Sequence, residues 1–371
     1  MNTPNHLEIV AMAPSLATVA IFLAAILLSS PCAAALVAAP APAPTPAGHG
    51  IPAVFAFGDS TLDPGNNNRL ATLVRADHAP YGRDFPGGAA TGRFTDGKLI
   101  TDYIVSSLGI KDLLPAYHSN GLTVADASTG VSFASGGSGL DDLTARNAMV
   151  STFGSQLNDF HELLGHIGAP KSDEIANKSL YVISAGTNDV TMYYLLPFRA
   201  MNFPIVDQYG DYLISLLQSN LKSLYQMGAR KMMVAGLPPL GCLPVQKSLR
   251  GAGSGGCITA QNEAAERYNA ALQKALAKLE ADSPGAKIAY VDIYTPLKDM
   301  AENPNKYGFT QASLGCCGTG MMEMGALCTS MLRQCQSPSQ YMFFDSVHPT
   351  QATYKALADE IVKSHVPQLM Q

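Results

Sequence analysis

No tryptophan occurs anywhere in the 371 residues. A platform that stacks sugar rings would have to draw its flat faces from tyrosine, which weighs against a purely lectin-like protein. Charge is also scarce. Charged residues make up 14% of the chain and hydrophobic ones 47%, a balance unlike that of disordered acidic or basic proteins. The net charge is −5, and no run of Lys and Arg exceeds two residues. Nothing therefore supplies the basic stripe that a phosphate backbone requires, and nucleic-acid binding is excluded.

Lysine and arginine are missing altogether until Arg69. Within that stretch, Leu16 to Leu28 form an apolar run of thirteen, followed by Ser29-Ser30-Pro31-Cys32 and Ala33-Ala34-Ala35. An apolar core, a helix breaker and an A-x-A site read as a secretory signal peptide over residues 1–35, despite an amino-terminal region without fixed positive charge. An uncleaved anchor over Leu16 to Val37 is the rival, but Ser29, Ser30 and Pro31 interrupt it near its middle. Residues 36–50 then form a Pro/Ala spacer, since alternating proline fixes φ and removes amide donors. Residues 51–371 are expected to form a single domain. No stable membrane insertion is expected once the signal is cleaved.

Of seven cysteines, Cys32 precedes the expected cleavage point, which leaves Cys242, Cys257, Cys316, Cys317, Cys328 and Cys335. An even number behind a signal peptide implies disulfides. Cys242 and Cys257 flank a Gly-rich insert and are expected to close it. The other four lie within residues 316–335, where adjacent Cys316 and Cys317 are poor partners for each other. A zinc cluster would want a C-x-x-C pair or a nearby histidine, and neither is present.

Short apolar runs read as strands at Ala53–Phe57, Val131–Ala134, Leu180–Ser184, Lys231–Ala235 and Lys287–Val291, four of them ending in Gly-rich turns. Between them, 209–227, 258–279 and 349–365 carry helical spacing. Alternation of this kind gives an α/β fold with a mostly parallel sheet, whose ligands bind outside the strand carboxyl ends. At those ends stand Gly58-Asp59-Ser60, Ser135-Gly136-Gly137 and Gly186-Thr187-Asn188-Asp189. Far downstream, Asp345-Ser346-Val347-His348 spaces a carboxylate and an imidazole three apart. Each piece alone is turn or cap material. Together they supply a nucleophile, a base, its orienting acid and oxyanion donors. The nucleophile elbow G-x-S-x-G occurs at no serine, so the usual α/β-hydrolase reading finds no support.

The blocks FAFGDSTLDPGNNN (55–68), YGRDFPGGAATGRFTDG (81–97), GVSFASGGSG (130–139), YVISAGTNDV (181–190), GLPPLGCLP (236–244), CCGTG (316–320) and FFDSVHPT (343–350) follow in order. In these the chain resembles the plant GDSL esterase/lipase group of the SGNH hydrolases. The resemblance implies a three-layer α/β/α fold with a central, mostly parallel sheet of the SGNH-hydrolase (flavodoxin-like) type. It implies a secreted, extracellular esterase acting on a small-molecule or polymeric ester, with no metal or organic cofactor. Carried over residue by residue, Ser60 is the nucleophile, His348 the general base and Asp345 its orienting acid. The Ser60 amide, Gly137 and the Asn188 side chain would hold the oxyanion, Gly136 being the neighbour in ambiguous register. Ser132 stands where the family usually has Asn, and is read as a supporting difference. The rivals are acyl transfer to an alcohol and a non-catalytic secreted binding or defence protein. Asn66-Asn67-Asn68 reads as turn material, His161 and His166 as surface residues, and Asn177 as a glycosylation site in a surface turn. Met321, Met322 and Met324 are candidates to face an acyl chain.

Overall fold

Runs such as VFAFG and LYVIS are too short for helices and too apolar for loops, so they bury on both faces as central strands. The computed structural model describes residues 50–249 and 256–370. The expected signal peptide, nearly all of the spacer and most of the Gly-rich insert lie outside the described residues. The five strands are β1 Val54–Gly58, β2 Gly130–Ser132, β3 Leu180–Ser184, β4 Lys231–Ala235 and β5 Lys287–Val291. They form one parallel sheet in the order β2-β1-β3-β4-β5. Strand order reverses at β1/β3, the switch point where a crevice opens beyond the strand ends. The expected second strand is shorter than the sequence indicates. Beyond Ser132 the chain still runs beside β1, the Phe133 and Ser135 amides donating to the Ala56 and Gly58 carbonyls.

The two faces of the sheet differ in side-chain size. Phe55, Phe57 and Tyr181 point to one face, where Phe160 of the helix Phe153–Ile167 lies 5.1–5.7 Å from each ring. The helices Val206–Gln226 and Thr259–Ala281 complete that layer. They match the expected helices to within three residues at each end, with Leu213, Leu217, Leu221 and Leu224 buried at three- and four-residue spacing. The other face carries Ala56, Val182, Met233 and Ala289 in lateral register. Against it lie Ile100–Ser107, Tyr294–Glu302 and Gln351–Ser364. This is the three-layer α/β/α arrangement with a parallel sheet.

A pair that the sequence did not announce, β6 Gln311–Gly315 and β7 Tyr341–Phe343, carries the chain into the 345–348 loop. Cys316–Cys335 and Cys317–Cys328 staple the segment between these strands, and Cys242–Cys257 closes the insert. All six expected cysteines are paired, and Cys316 and Cys317 take separate partners. Among the described residues, no helix is long and apolar enough to cross a membrane.

Candidate active site

Strand β1 ends at Gly58 because nothing larger fits. Its φ is +139°, and a Cβ there would lie 1.8 Å from the Ser184 carbonyl oxygen of β3. Gln156 completes the strand end, accepting from the Gly58 amide at 2.8 Å and donating to its carbonyl at 2.9 Å. The chain then turns through Asp59 and Ser60. The Asp59 amide donates to Ser184 at 3.1 Å, while its carboxylate accepts from the Thr61 amide and hydroxyl. Ser60 is 5% exposed, so the turn that carries it is recessed.

The Asp-x-x-His spacing has a local cause. Asp345 Oδ1 accepts from the amides of Val347 and His348 at 2.8 and 2.7 Å, which folds the loop back on its own carboxylate. Oδ2 then faces His348 Nδ1 at 2.7 Å, and His348 Nε2 faces Ser60 Oγ at 2.7 Å. The Phe344 amide donates to the His348 carbonyl at 2.7 Å and pins the loop's ends together. A carboxylate accepts only, so Nδ1 carries the imidazole proton and Nε2 is left to accept from the Ser60 hydroxyl. The structure thus brings Ser60, His348 and Asp345 into one hydrogen-bonded line across 288 residues of chain.

Two residues outside the expected set hold that line in place. Tyr81 donates its phenol proton to Asp345 Oδ2 at 2.7 Å and accepts from the Gly325 amide at 2.8 Å. Burial, followed by the field of Asp345, pushes the Tyr81 phenol well above its ordinary range, so it stays a donor. The ring of Phe94 lies 4.9 Å from that of His348. Both belong to the 81–97 block, but nothing in their spacing points to a partner more than 250 residues away.

The loop after β2 is braced from beneath. Asp63 accepts from the Gly65, Asn66 and Gly136 amides at 2.6–2.9 Å, and burial still raises its carboxyl to about 6. Asn66 Nδ2 donates to the Ser132 and Ala134 carbonyls, and Asn67 Nδ2 to those of Val74 and Gly136. These asparagines form a buried 3₁₀ turn that ties the nucleophile loop to its neighbour, a larger part than the turn material expected. Ser132 donates to the Leu62 carbonyl at 2.7 Å, also from a buried position. Gly136 leaves room for Phe94, whose ring atoms stand 2.6 Å from where a Cβ would be.

The Gly136 amide is engaged by Asp63, so Gly137, at φ +81°, is the glycine of the pair left for another acceptor. Asn188, in the first turn of the helix Thr187–Leu195, donates to the Ser138 carbonyl at 2.9 Å. Its nitrogen bears a second proton, free to point elsewhere. Asp189 accepts from the Leu140 and Asp141 amides and the Thr144 hydroxyl, locking the same loop from the other side. Burial raises Asp189 to about 7.

Other expectations resolve differently. Met321 and Met322 are 39% exposed and lie outside the cavity beside Ser60, which Met233 and Met342 line instead. Asn177 sits in the last turn of the helix Lys171–Lys178, not in a surface turn. His161 and His166 lie exposed on the helix Phe153–Ile167, the surface position expected of them. Among the described residues, no group of three His, Cys, Asp or Glu is arranged to hold a metal ion.

Residues 54–361 match the GDSL-like Lipase/Acylhydrolase family. A GDSL esterase/lipase of Arabidopsis thaliana is 43% identical over 329 residues, covering 86% of this chain and 91% of the relative. Another from the same plant is 42% identical over 317 residues, covering 84% and 88%. Among solved structures, a catalytic mutant of an acetylxylan esterase from Geobacillus stearothermophilus matches with a TM-score of 0.41 at 14% identity, covering 84% of this chain and 92% of that one. The chain belongs to the GDSL-like lipase/acylhydrolase family, a family of carboxylic ester hydrolases.

Proposed function

We propose that the protein is a secreted serine esterase or lipase that cleaves carboxylic esters through an acyl-enzyme on Ser60. The observation that carries this reading is the unbroken line Ser60 Oγ–His348 Nε2, His348 Nδ1–Asp345 Oδ2, both contacts at 2.7 Å. Ser60 attacks the ester carbonyl carbon while His348 takes its proton, and Asp345 holds the tautomer and stabilises the imidazolium. The Ser60 and Gly137 amides and the Asn188 amide nitrogen receive the oxyanion. Collapse of the tetrahedral intermediate expels the alcohol, which takes the proton back from His348. Water, activated by the same imidazole, then releases the acid.

Secretion is supported by the N-terminal sequence and by three disulfides, which persist in oxidising compartments. Asn177, exposed on its helix, is the proposed glycosylation site. Ser60→Ala tests the assignment: turnover of a p-nitrophenyl ester should fall by about 10³-fold or more with an unchanged circular dichroism spectrum. Near wild-type turnover in a folded variant would sink it.

A further inference from the structure

The segment from Cys316 to Cys335 has little regular structure to hold its shape. It contains no α-helix and one 3₁₀ turn, Gly325–Leu327, and the side chains of Met321, Met322, Leu327 and Met331 are exposed. Its backbone nevertheless meets the triad loop repeatedly. The Cys316 and Cys317 amides donate to the Phe343 and Phe344 carbonyls at 3.1 and 2.9 Å, and the Ser346 amide donates to the Glu323 carbonyl at 2.9 Å. Two residues on, the Gly325 amide donates to Tyr81, whose phenol holds Asp345. Residues 323–325 thus grip the Asp345–His348 loop twice. Such a grip places the loop only as well as its own position is fixed.

Two anchors fix it. On the carboxyl side, the Cys328 amide donates to the Gly325 carbonyl at 3.0 Å, and Cys328 is bridged to Cys317. On the amino side, the anchor is the carboxylate of Glu323 itself, folded back over the turn that precedes it. Oε1 accepts from the Thr319 amide at 2.9 Å, and Oε2 from the Met321 and Met322 amides at 3.2 and 3.1 Å. The Thr319 hydroxyl lies 2.8 and 2.9 Å from the two oxygens. The turn leaves room for this. Gly318 has a φ of +67°, and a Cβ there would stand 2.6 Å from Glu323 Cδ. Burial opposes ionisation of Glu323, but the bonds from Thr319 and Met322 outweigh it and hold the carboxyl below its ordinary range. Asp345 organises its own loop in the same way, one carboxylate gathering successive amides.

We propose that Glu323 is a positioning residue for the triad. Its carboxylate sets the 319–322 turn, and the turn sets the Glu323 carbonyl on the Ser346 amide and the Gly325 amide on Tyr81. Those two bonds keep Asp345 and His348 in line with Ser60. The catalytic consequence rests on the serine-esterase reading above; the positioning itself does not. Glu323 does not line the cavity beside Ser60, so it acts through the loop and on turnover, not on substrate affinity. A shift of about 1 Å in a reacting group costs about 10²-fold in rate. Loss of one of two anchors moves the loop less than that, and the cost is about tenfold.

Two measurements test it. Glu323→Gln keeps the side chain's size but sets an amide nitrogen where backbone donors need an acceptor. With a p-nitrophenyl ester, kcat should fall about tenfold while KM stays within about twofold. Thr319→Val removes the hydroxyl alone and is the milder variant, should Glu323→Gln not fold; it should lower kcat about threefold with the same split. The second measurement needs no turnover. The proton on His348 Nδ1, held against Asp345 at 2.7 Å, resonates far downfield of the amides in a proton NMR spectrum. It should move or broaden in Glu323→Gln. A kcat within about twofold of wild type in folded Glu323→Gln, or a rise in KM at constant kcat, would overturn the proposal. So would a fall in kcat with the His348 proton unmoved. Failure of the esterase reading looks different: wild type would show no Ser60-dependent turnover, while the His348 proton still responded to Glu323→Gln.

Discussion

Tyr81→Phe removes one oxygen and leaves Asp345 Oδ2 with His348 alone, while the Gly325 amide loses its acceptor. Because Tyr81 acts through Asp345, kcat should fall about tenfold with little change in KM, in line with losing one hydrogen bond to a charged group. Steady-state kinetics on one ester would show this, and a rise in KM at constant kcat would contradict it. Asn188→Ala removes an oxyanion donor and should cost about 10²–10³ in turnover. If Asn188→Ala raised KM and spared kcat, Asn188 would be a binding group. At this scale the sequence was informative wherever chemistry-bearing side chains follow a strand end, as Ser60 and Asn188 do. Asp345 and His348 were legible because their spacing lets one carboxylate hold both loop amides and the imidazole. Tyr81 and Phe94 were not, since their roles exist only after β6, β7 and the stapled segment between them bring residue 345 to residue 81.

The elements that carry the site are set by close backbone approach. Gly58→Ala would force a Cβ to 1.8 Å from the Ser184 carbonyl. We expect a loss of about 3 kcal/mol or more in unfolding free energy, read from urea midpoints. A midpoint within about 0.5 kcal/mol of wild type, the range of a neutral surface change, would show that β1 and β3 can part there. The strands of the parallel sheet were readable from their apolar runs and Gly-rich ends, three of them to the residue and β1 to within one at each end. Gln311–Gly315 (QASLG) was not, having no β-branched or aromatic residue and an alternation that rests on Ala312 and Leu314 alone; its pairing with β7 is a tertiary event. Several short helices, among them Ile100–Ser107, were missed for a similar reason. Its Asp102 is bound by Arg93 through two 2.8 Å contacts, a tie that periodicity does not register.

Across the whole molecule, burial leaves several carboxyls poised near neutrality: Asp63 and Asp96 at about 6 and Asp189 at about 7. Each lies above the ordinary carboxylate value. The folded protein therefore keeps protons that the unfolded chain has already released between about pH 4 and 7, and stability falls as pH rises through that window. His118, raised by Asp159, works in the same sense. Asp299, lowered to about 2 by its hydrogen bond with Lys306, acts the other way only below that window. The urea midpoint should thus be higher at pH 4.5 than at pH 7.5, and the opposite order would contradict the burial argument. The layer order was legible from alternating strands and helices, but the cavity was not. It is lined by the small side chains of Ser184 and Ala235, which share one sheet face. The central claim is that an ester's acyl group passes through Ser60. Turnover of p-nitrophenyl octanoate, quenched in acid within milliseconds and analysed by peptide mass spectrometry, tests it most directly. The account predicts an added octanoyl mass on the peptide that contains Ser60, absent in Ser60→Ala. Full turnover with no acyl adduct, or an adduct on another residue, would contradict it.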